Sequence, residues 1–211
     1  MFINKIGYQH LELGLNNHDY GFEQDNIKCV VDGCSEGLHS EVGAKLFCHF
    51  YKNSNDNNDR ILKIFQQLTS IFSSVEDIKN HLLFTILLLY ENDNIFHVQI
   101  CGDGIIIKQK HDDTLEYEIK DYSGSPPYYS YNFIDEKYLT KYKDGVLINV
   151  LNYYKTDYKA IGIASDGLQY ILDSPFKEEF EGLFIKRKEF GIKRLINREH
   201  KLFKDDITIA I

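Results

Sequence analysis

Helical segments in this sequence come in blocks and do not alternate one by one with the strands. Apolar residues recur at helical spacing over residues 40–51 and 60–72, and residues 176–198 are predicted to be mostly helical. Short apolar or β-branched runs predict strands at residues 27–31, 83–90, 95–101, 105–109, 115–120, 160–164 and 207–211, and the four between residues 83 and 120 are predicted to form one β-meander. A parallel sheet needs a long crossover after each strand. The block order therefore favours an α+β fold in which antiparallel sheets carry helices on their outer faces.

Length and charge narrow the class of protein. The 211 residues suit a single domain covering residues 1–211. The formal net charge of -8 argues against a general nucleic-acid binder, since phosphate contacts need clustered Lys and Arg. The longest apolar run, residues 82–90, is short of the roughly 20 residues that cross a bilayer. We therefore expect no nucleic-acid partner and no membrane association.

The N-terminal residues and the cysteines predict a cytoplasmic location. Residues 1–15 lack the basic start and apolar stretch of a signal peptide. The four cysteines show no Cys-x-x-Cys spacing, so neither a zinc knuckle nor a redox motif is indicated. We interpret them as reduced thiols, mostly buried.

Aspartates stand where three predicted strands meet turns. Asp32 and Asp166 each end an apolar run and precede a glycine, and Asp205 comes just before the terminal strand. Carboxylate oxygens are the ligands that Mg²⁺ and Mn²⁺ prefer. Two such ions could share a carboxylate and activate a water for attack on phosphorus. Asp-Gly is also a common turn pair, so spacing alone does not establish that these strands meet.

Five stretches, taken in order, carry a resemblance to a known family. They are His18-Asp19-Tyr20-Gly21-Phe22-Glu23-Gln24-Asp25, Val31-Asp32-Gly33 with the helix that follows, Gly102-Asp103-Gly104, Ser165-Asp166-Gly167-Leu168 and Asp205-Asp206-Ile207-Thr208. Together they span most of the chain, and they resemble the metal-dependent protein phosphatases of type 2C, in particular a compact bacterial branch. That resemblance implies a four-layer α-β-β-α sandwich of two antiparallel β-sheets flanked by helices.

The resemblance also implies an activity and a partner. It implies hydrolysis of phosphoserine and phosphothreonine by a metal-activated water, with two Mn²⁺ or Mg²⁺ ions as cofactors and a third in some members. The substrate would be a phosphorylated protein, and a kinase would be the functional partner.

Matched positions imply the residue roles. Asp32 would bridge the two ions, with the Gly33 carbonyl as a ligand to one of them. Asp166 and Asp205 would bind the other ion, and Asp103 would approach the third. Asp25 would orient metal-bound water from outside the ligand set.

Other positions leave alternatives open. Tyr20 stands where many relatives have a phosphate-binding Arg, so the resemblance implies that it binds substrate, and Tyr170 stands where an acidic residue is common. His18 is a candidate general acid or phosphate ligand, or a turn histidine that bonds to backbone. These substitutions keep two further functions open: a pseudophosphatase that binds a phosphorylated partner, and a phosphatase of a small phosphoester. The tyrosines 128, 129 and 131 could form a lip facing the substrate or could pack their segment onto the body.

Overall fold

The structure is a computed structural model that describes residues 1–54, 59–122 and 124–211. The described residues form ten strands and seven α-helices. The strands are β1 (Phe2–Lys5), β2 (Tyr20–Gln24), β3 (Ile27–Gly33), β4 (Phe84–Glu91), β5 (Ile95–Cys101), β6 (Gly104–Lys110), β7 (Leu115–Lys120), β8 (Asn149–Tyr154), β9 (Tyr158–Ala164) and β10 (Ile207–Ala210). The helices are α1 (Tyr8–Leu13), α2 (Ser40–Asn53), α3 (Arg60–Ile71), α4 (Val75–His81), α5 (Gln169–Leu172), α6 (Lys177–Ile185) and α7 (Glu189–Arg198).

The strands form two five-stranded sheets. Sheet A has the order β1-β10-β9-β6-β7, and sheet B has the order β2-β3-β4-β5-β8. The paired strands run antiparallel in both sheets. Sheet A joins the two ends of the chain, because β1 pairs with β10 from Phe2 opposite Ala210 to Lys5 opposite Ile207.

The chain passes from sheet B to sheet A at Asp103. Gly102 and Gly104 flank this residue with φ angles of 97° and 135°, in a region that L side chains rarely adopt. The sequence predicted one continuous meander from residue 83 to residue 120. That expectation was wrong, because this turn directs β6 and β7 into the other sheet.

Three apolar layers hold the sheets and helices together. Between the sheets, Val30 and Leu87 of sheet B share a core with Ile106 and Ile163 of sheet A. These strands are apolar on both faces because each sheet is also covered from outside.

Helices cover the outer face of each sheet. On sheet B, Phe47 of α2 and Phe65 of α3 pack with Val31. On sheet A, Phe184 of α6 and Leu195 of α7 belong to one core. The predicted four-layer α-β-β-α sandwich is therefore confirmed.

Several local expectations need correction. Residues 176–198 form two helices, α6 and α7, because the chain turns at Arg187 with a φ angle of 52°. The sequence did not predict β1, β2, β8, α1 or α4, which are short or carry no clear apolar period. Helix α4 begins at a capping box in which Ser74 and Asp77 satisfy each other's backbone N–H groups.

The tyrosines of the irregular segment pack against the body. Tyr128 is 5% exposed. The ring of Tyr129 meets Phe65 of α3 edge-on at 5.0 Å, and Tyr131 stacks on Tyr142 at 5.7 Å. Of the two roles left open for these tyrosines, the contacts support packing of their segment onto the body.

Hydropathy along the helices also bears on a membrane role. Among the described residues, none of the helices combines the length and the apolar character needed to cross a bilayer.

Candidate metal centre

Four predicted site residues lie at strand ends. Asp32 is near the end of β3, where it pairs with Thr85 of β4. Asp166 follows β9 and Asp205 precedes β10, and these strands are neighbours in sheet A. Asp103 sits in the turn where the chain changes sheet. Because β10 also lies against β3 across the sandwich, the four aspartates come from both sheets to one end of the molecule.

Asp19 is a fifth member of this group, and the sequence reasoning did not single it out. It directly precedes β2, whose first residue Tyr20 pairs with Val31, so the next step along the strand sets Asp19 beside Asp32. Asp19 is 2% exposed, and Ser165 donates a 2.6 Å hydrogen bond from its hydroxyl to the Asp19 carboxylate. The available signal was an aspartate just before a strand, as at Asp205.

Asp25 is not brought to this group, so the role expected for it needs correction. It occupies the turn between β2 and β3, where Gln24 pairs with Ile27, and it is exposed. Its φ angle of 53° is typical of Asp or Asn in a tight turn. At about 3.3 Å per residue, β3 separates this turn from Asp32 by roughly 16 Å.

Burial and mutual repulsion raise the pKa values of this group. Burial and the carboxylates of Asp19 and Asp166 raise the pKa of Asp32 well above its ordinary value. Asp205 and Asp103 act on Asp32 in the same direction. We call these five residues the carboxylate cluster: Asp19, Asp32, Asp103, Asp166 and Asp205.

The other members are perturbed in the same direction. Burial, followed by repulsion from Asp166, raises the pKa of Asp103 to about 7. Burial also raises the pKa of Asp205, against the 2.8 Å hydrogen bond that its carboxylate accepts from the Asp206 N–H.

Asp166 is open to solvent yet crowded by protein atoms. This desolvation, together with the charge of Asp205, raises its pKa, while contact with the Asp32 carboxyl opposes the shift. Asp166 therefore faces the solvent side of the cluster while it touches Asp32.

Two glycines let the chain come close at this end. A Cβ on Gly33 would lie 2.7 Å from the carbonyl oxygen of His18, and one on Gly167 would lie 1.8 Å from the carbonyl oxygen of Asp206. Glycine is therefore required after Asp32 and Asp166 because another part of the backbone packs against it, as well as because the chain turns there. The ligand role predicted for the Gly33 carbonyl stays a prediction.

A cleft of about 790 Å³ opens beside the cluster. Asp103 and Asp166 line one side, and Tyr170 and Ile119 give it apolar surface. A tyrosine hydroxyl is protonated at neutral pH, and burial raises the pKa of Tyr170 further. The cleft has room for a phosphoester next to the carboxylates.

Tyr20 lies near the cluster but on the other face of its sheet. It pairs with Val31, which belongs to the core under the helices, whereas Val30 belongs to the core between the sheets. Because successive residues of a strand alternate faces, Tyr20 points away from the face that carries Asp32. The substrate-binding role predicted for Tyr20 has no support in this arrangement.

His18 belongs to a second group, which we call the histidine cluster: His10, His18 and Asp206. The His10 and His18 rings are 4.8 Å apart. Burial, followed by the neighbouring His10, lowers the pKa of His18, against the pull of Asp206. The Asp206 carboxylate accepts hydrogen bonds from the N–H groups of Gly7, at 2.7 Å, and His18, at 2.6 Å.

The donor chemistry of the carboxylate cluster fits Mn²⁺ or Mg²⁺. Its side chains offer oxygen ligands only, which hard divalent ions prefer. Carboxylates that raise one another's pKa values gain most when a cation offsets their charge. Asp32, Asp166 and Asp205 would hold the ions, with Asp103 toward the cleft and Asp19 fixed by its hydrogen bond from Ser165.

Solved structures share this fold. The serine/threonine phosphatase Stp1 from Staphylococcus aureus matches with a TM-score of 0.68 at 15% identity, covering 99% of this chain and 92% of that one. The phosphatase PstP/Ppp from Mycobacterium tuberculosis matches with a TM-score of 0.66 at 16% identity, covering 99% and 95%. The PstP catalytic domain in complex with two manganese ions matches with a TM-score of 0.63 at 16% identity, covering 99% and 94%.

Because the identities are this low, these matches establish the fold alone. The activity has to be argued from the residues of the site. No protein-family model matches the chain, and a search of curated proteins gave no match. The chain has the sandwich fold of bacterial serine/threonine phosphatases, with a carboxylate cluster at one end of its two sheets.

Proposed function

We propose that this chain is a Mn²⁺- or Mg²⁺-dependent phosphatase that hydrolyses phosphoserine and phosphothreonine in proteins. The observation that carries the proposal is the convergence of Asp32 with Asp19, Asp103, Asp166 and Asp205 on a fold shared with phosphatases. Carboxylates that repel one another this strongly make a site for cations.

Each aspartate of the carboxylate cluster has a role that follows from its position. Asp32, Asp166 and Asp205 hold the ions, and Asp103 extends the site into the cleft. Bound ions of this kind lower the pKa of a water and so supply a nucleophile at neutral pH. Asp19 takes the orienting role that the sequence had suggested for Asp25, because Ser165 fixes its carboxylate.

The substrate and partner follow from the same reasoning. The cleft beside Asp103 and Asp166 is open to the surface, which suits a phosphorylated side chain on a protein. Such an enzyme reverses the work of a kinase, so a protein kinase is the expected functional partner. Residues 1–211 act as one domain in this proposal, which the pairing of β1 with β10 supports.

A Mn²⁺-dependent hydrolysis assay tests the proposal. Wild-type protein is assayed on p-nitrophenyl phosphate and on phosphoserine and phosphothreonine peptides, with Mn²⁺, Mg²⁺ or chelator. The Asp32→Asn variant removes one charge at nearly constant shape, and we expect its kcat/KM to fall at least about 100-fold. The matched control is Asp93→Asn, an exposed turn residue at the opposite end of β5.

Two results would contradict phosphoester hydrolysis at this site, and a third would contradict the protein substrate. One is a wild-type protein that binds Mn²⁺ yet hydrolyses none of the three substrates, which would favour phosphopeptide binding without turnover. The other is equal activity of Asp32→Asn and Asp93→Asn. Turnover of p-nitrophenyl phosphate without turnover of either peptide would point to a small phosphoester as substrate.

A further inference from the structure

The histidine cluster brings three side chains together from separate parts of the chain. His10 comes from α1, His18 from the segment before β2 and Asp206 from the residue before β10. One ligand atom of each residue lies within 4.8 Å of the others. The two histidines are 5% exposed and Asp206 is 1% exposed.

Each imidazole ring in this cluster has a buried nitrogen without a hydrogen bond. Neither Nδ1 of His10 nor Nδ1 of His18 has a hydrogen-bond partner, although each is buried. The Nδ1 atom of His10 is 3.0 Å from the Asp206 carboxylate but makes no hydrogen bond to it. A buried polar atom without a partner is unfavourable, and native proteins rarely keep one. These nitrogens point to a missing partner.

The surrounding charge selects a cation as that partner. The charged groups that act on His18 are the carboxylates of Asp206, Glu41 and Asp205, opposed by His10. His10 also faces Asp205, with Nε2 3.6 Å from its Oδ1 atom. An acidic, buried setting with free imidazole nitrogens is where a metal ion gains both charge compensation and ligands.

We propose that His10, His18 and Asp206 bind a transition-metal ion of the Zn²⁺ class, separate from the ions of the carboxylate cluster. Two imidazoles and one carboxylate are a usual set of protein ligands for Zn²⁺. Imidazole nitrogen favours Zn²⁺ and Co²⁺, whereas Mg²⁺ prefers oxygen. Ligand bonds of about 2.0–2.2 Å require the three atoms to draw together by roughly 1 Å.

Such an ion would act as a cross-link next to the proposed active site. It would tie α1 and the segment before β2 to the start of β10. His18 immediately precedes Asp19, and Asp206 immediately follows Asp205. The ion would therefore fix two residues of the carboxylate cluster without occupying it.

Metal retention tests this inference independently of phosphatase activity. Protein stripped with chelator is given two equivalents of Zn²⁺ in the presence of millimolar Mg²⁺, dialysed against Mg²⁺ buffer and analysed for zinc. We expect one zinc ion per chain in wild type and in Asp32→Asn. We expect His10→Gln and His18→Gln to retain less than a tenth of that amount.

His49→Gln is the matched control, since His49 is an exposed helical histidine and we expect it to keep full retention. Circular dichroism establishes that each variant is folded. Co²⁺ added to wild type provides a second readout that needs no variant: a bound tetrahedral ion gives intense visible absorption.

Three results would overturn the inference. They are no zinc in dialysed wild type, equal zinc in His10→Gln and wild type, and loss of zinc in Asp32→Asn alone. The last result would assign the zinc to the carboxylate cluster. A failure of any of these kinds leaves Mn²⁺-dependent hydrolysis untouched, so it is distinguishable from failure of the proposed function.

Discussion

The carboxylate cluster and the histidine cluster are neighbours with different chemistry. The first offers only oxygen, includes side chains from both sheets and borders a cleft of about 790 Å³. The second offers two imidazoles and one carboxylate and is almost fully buried. Asp205 belongs to one and Asp206 to the other. Two adjacent aspartates of one motif therefore belong to two groups that differ in donor chemistry and in exposure.

Gly167→Ala should break both clusters together and has the largest expected effect. The new Cβ would lie 1.8 Å from the carbonyl oxygen of Asp206, so either the turn at Gly167 or the backbone just before β10 would have to move. We expect the free energy of unfolding to fall by more than about 4 kcal/mol, the range of severe backbone strain. Urea denaturation measures it.

Gly182→Ala is the control for this substitution. Gly182 lies within α6 with nothing within 4 Å of its Cβ position. Alanine there should therefore raise the free energy of unfolding, by at most about 1 kcal/mol. Similar unfolding curves for the two variants would contradict the close packing inferred at Gly167.

Asp19→Asn tests whether Asp19, and not Asp25, belongs to the carboxylate cluster. Removing the charge of a buried carboxylate that Ser165 orients should lower Mn²⁺ affinity or kcat/KM by about 10- to 100-fold. Titration of Mn²⁺ with the hydrolysis assay measures both quantities. Asp25→Asn is the paired variant, with an expected change of less than about twofold, because Asn tolerates the same left-handed turn. The reverse ranking would restore the role first expected for Asp25.

Without bound metal, the carboxylate cluster should make the stability of the folded protein fall as pH rises. The folded pKa values of Asp32 and Asp103 are raised, to about 7 for Asp103, so folded protein binds protons more tightly than unfolded protein. The stability that these groups contribute is present at low pH and is lost as pH rises from about 4 through 7. Mn²⁺ should offset the repulsion.

We therefore expect the Tm gained on adding Mn²⁺ to grow between pH 5 and pH 8. A change of 1 kcal/mol corresponds to about 2–4 °C for a chain of this size. Differential scanning calorimetry with Mn²⁺ and with chelator measures it. In Asp103→Asn the dependence on pH should be shallower. A Tm gain that is constant with pH would argue against uncompensated carboxylates.

Ser165→Ala tests the support behind the carboxylate cluster and has the smallest expected effect. The Ser165 hydroxyl donates to Asp19 and accepts from the Thr208 N–H at 2.9 Å. Its loss leaves buried polar groups unpaired and should cost about 1–3 kcal/mol in stability. Ser70→Ala, on an exposed helix face, should stay within about 0.5 kcal/mol in the same thermal unfolding experiment. Equal losses would show that Ser165 carries no special support.

Local patterns predicted much of the fold and part of the site. The strands that end at Asp32 and Asp166 were visible because an apolar run meets Asp-Gly, a pair that favours turns. Asp25 was misjudged because the resemblance matched it to a site position, whereas Asp25 and Asn26 form the tight turn of the β2–β3 hairpin. Asp19 was missed because β2 is short and polar enough to escape the period of a strand.

Local patterns were enough to predict the longer apolar strands, helices α2 and α3 and the turns at which aspartates stand, since these depend on neighbours within a few residues. Which aspartates meet depends on the tertiary fold. The pairing of β1 with β10, the change of sheet at Asp103 and the approach of His10 to Asp206 join residues far apart in the chain. Such contacts depend on how apolar faces pack together in space, and spacing along the sequence does not encode them directly.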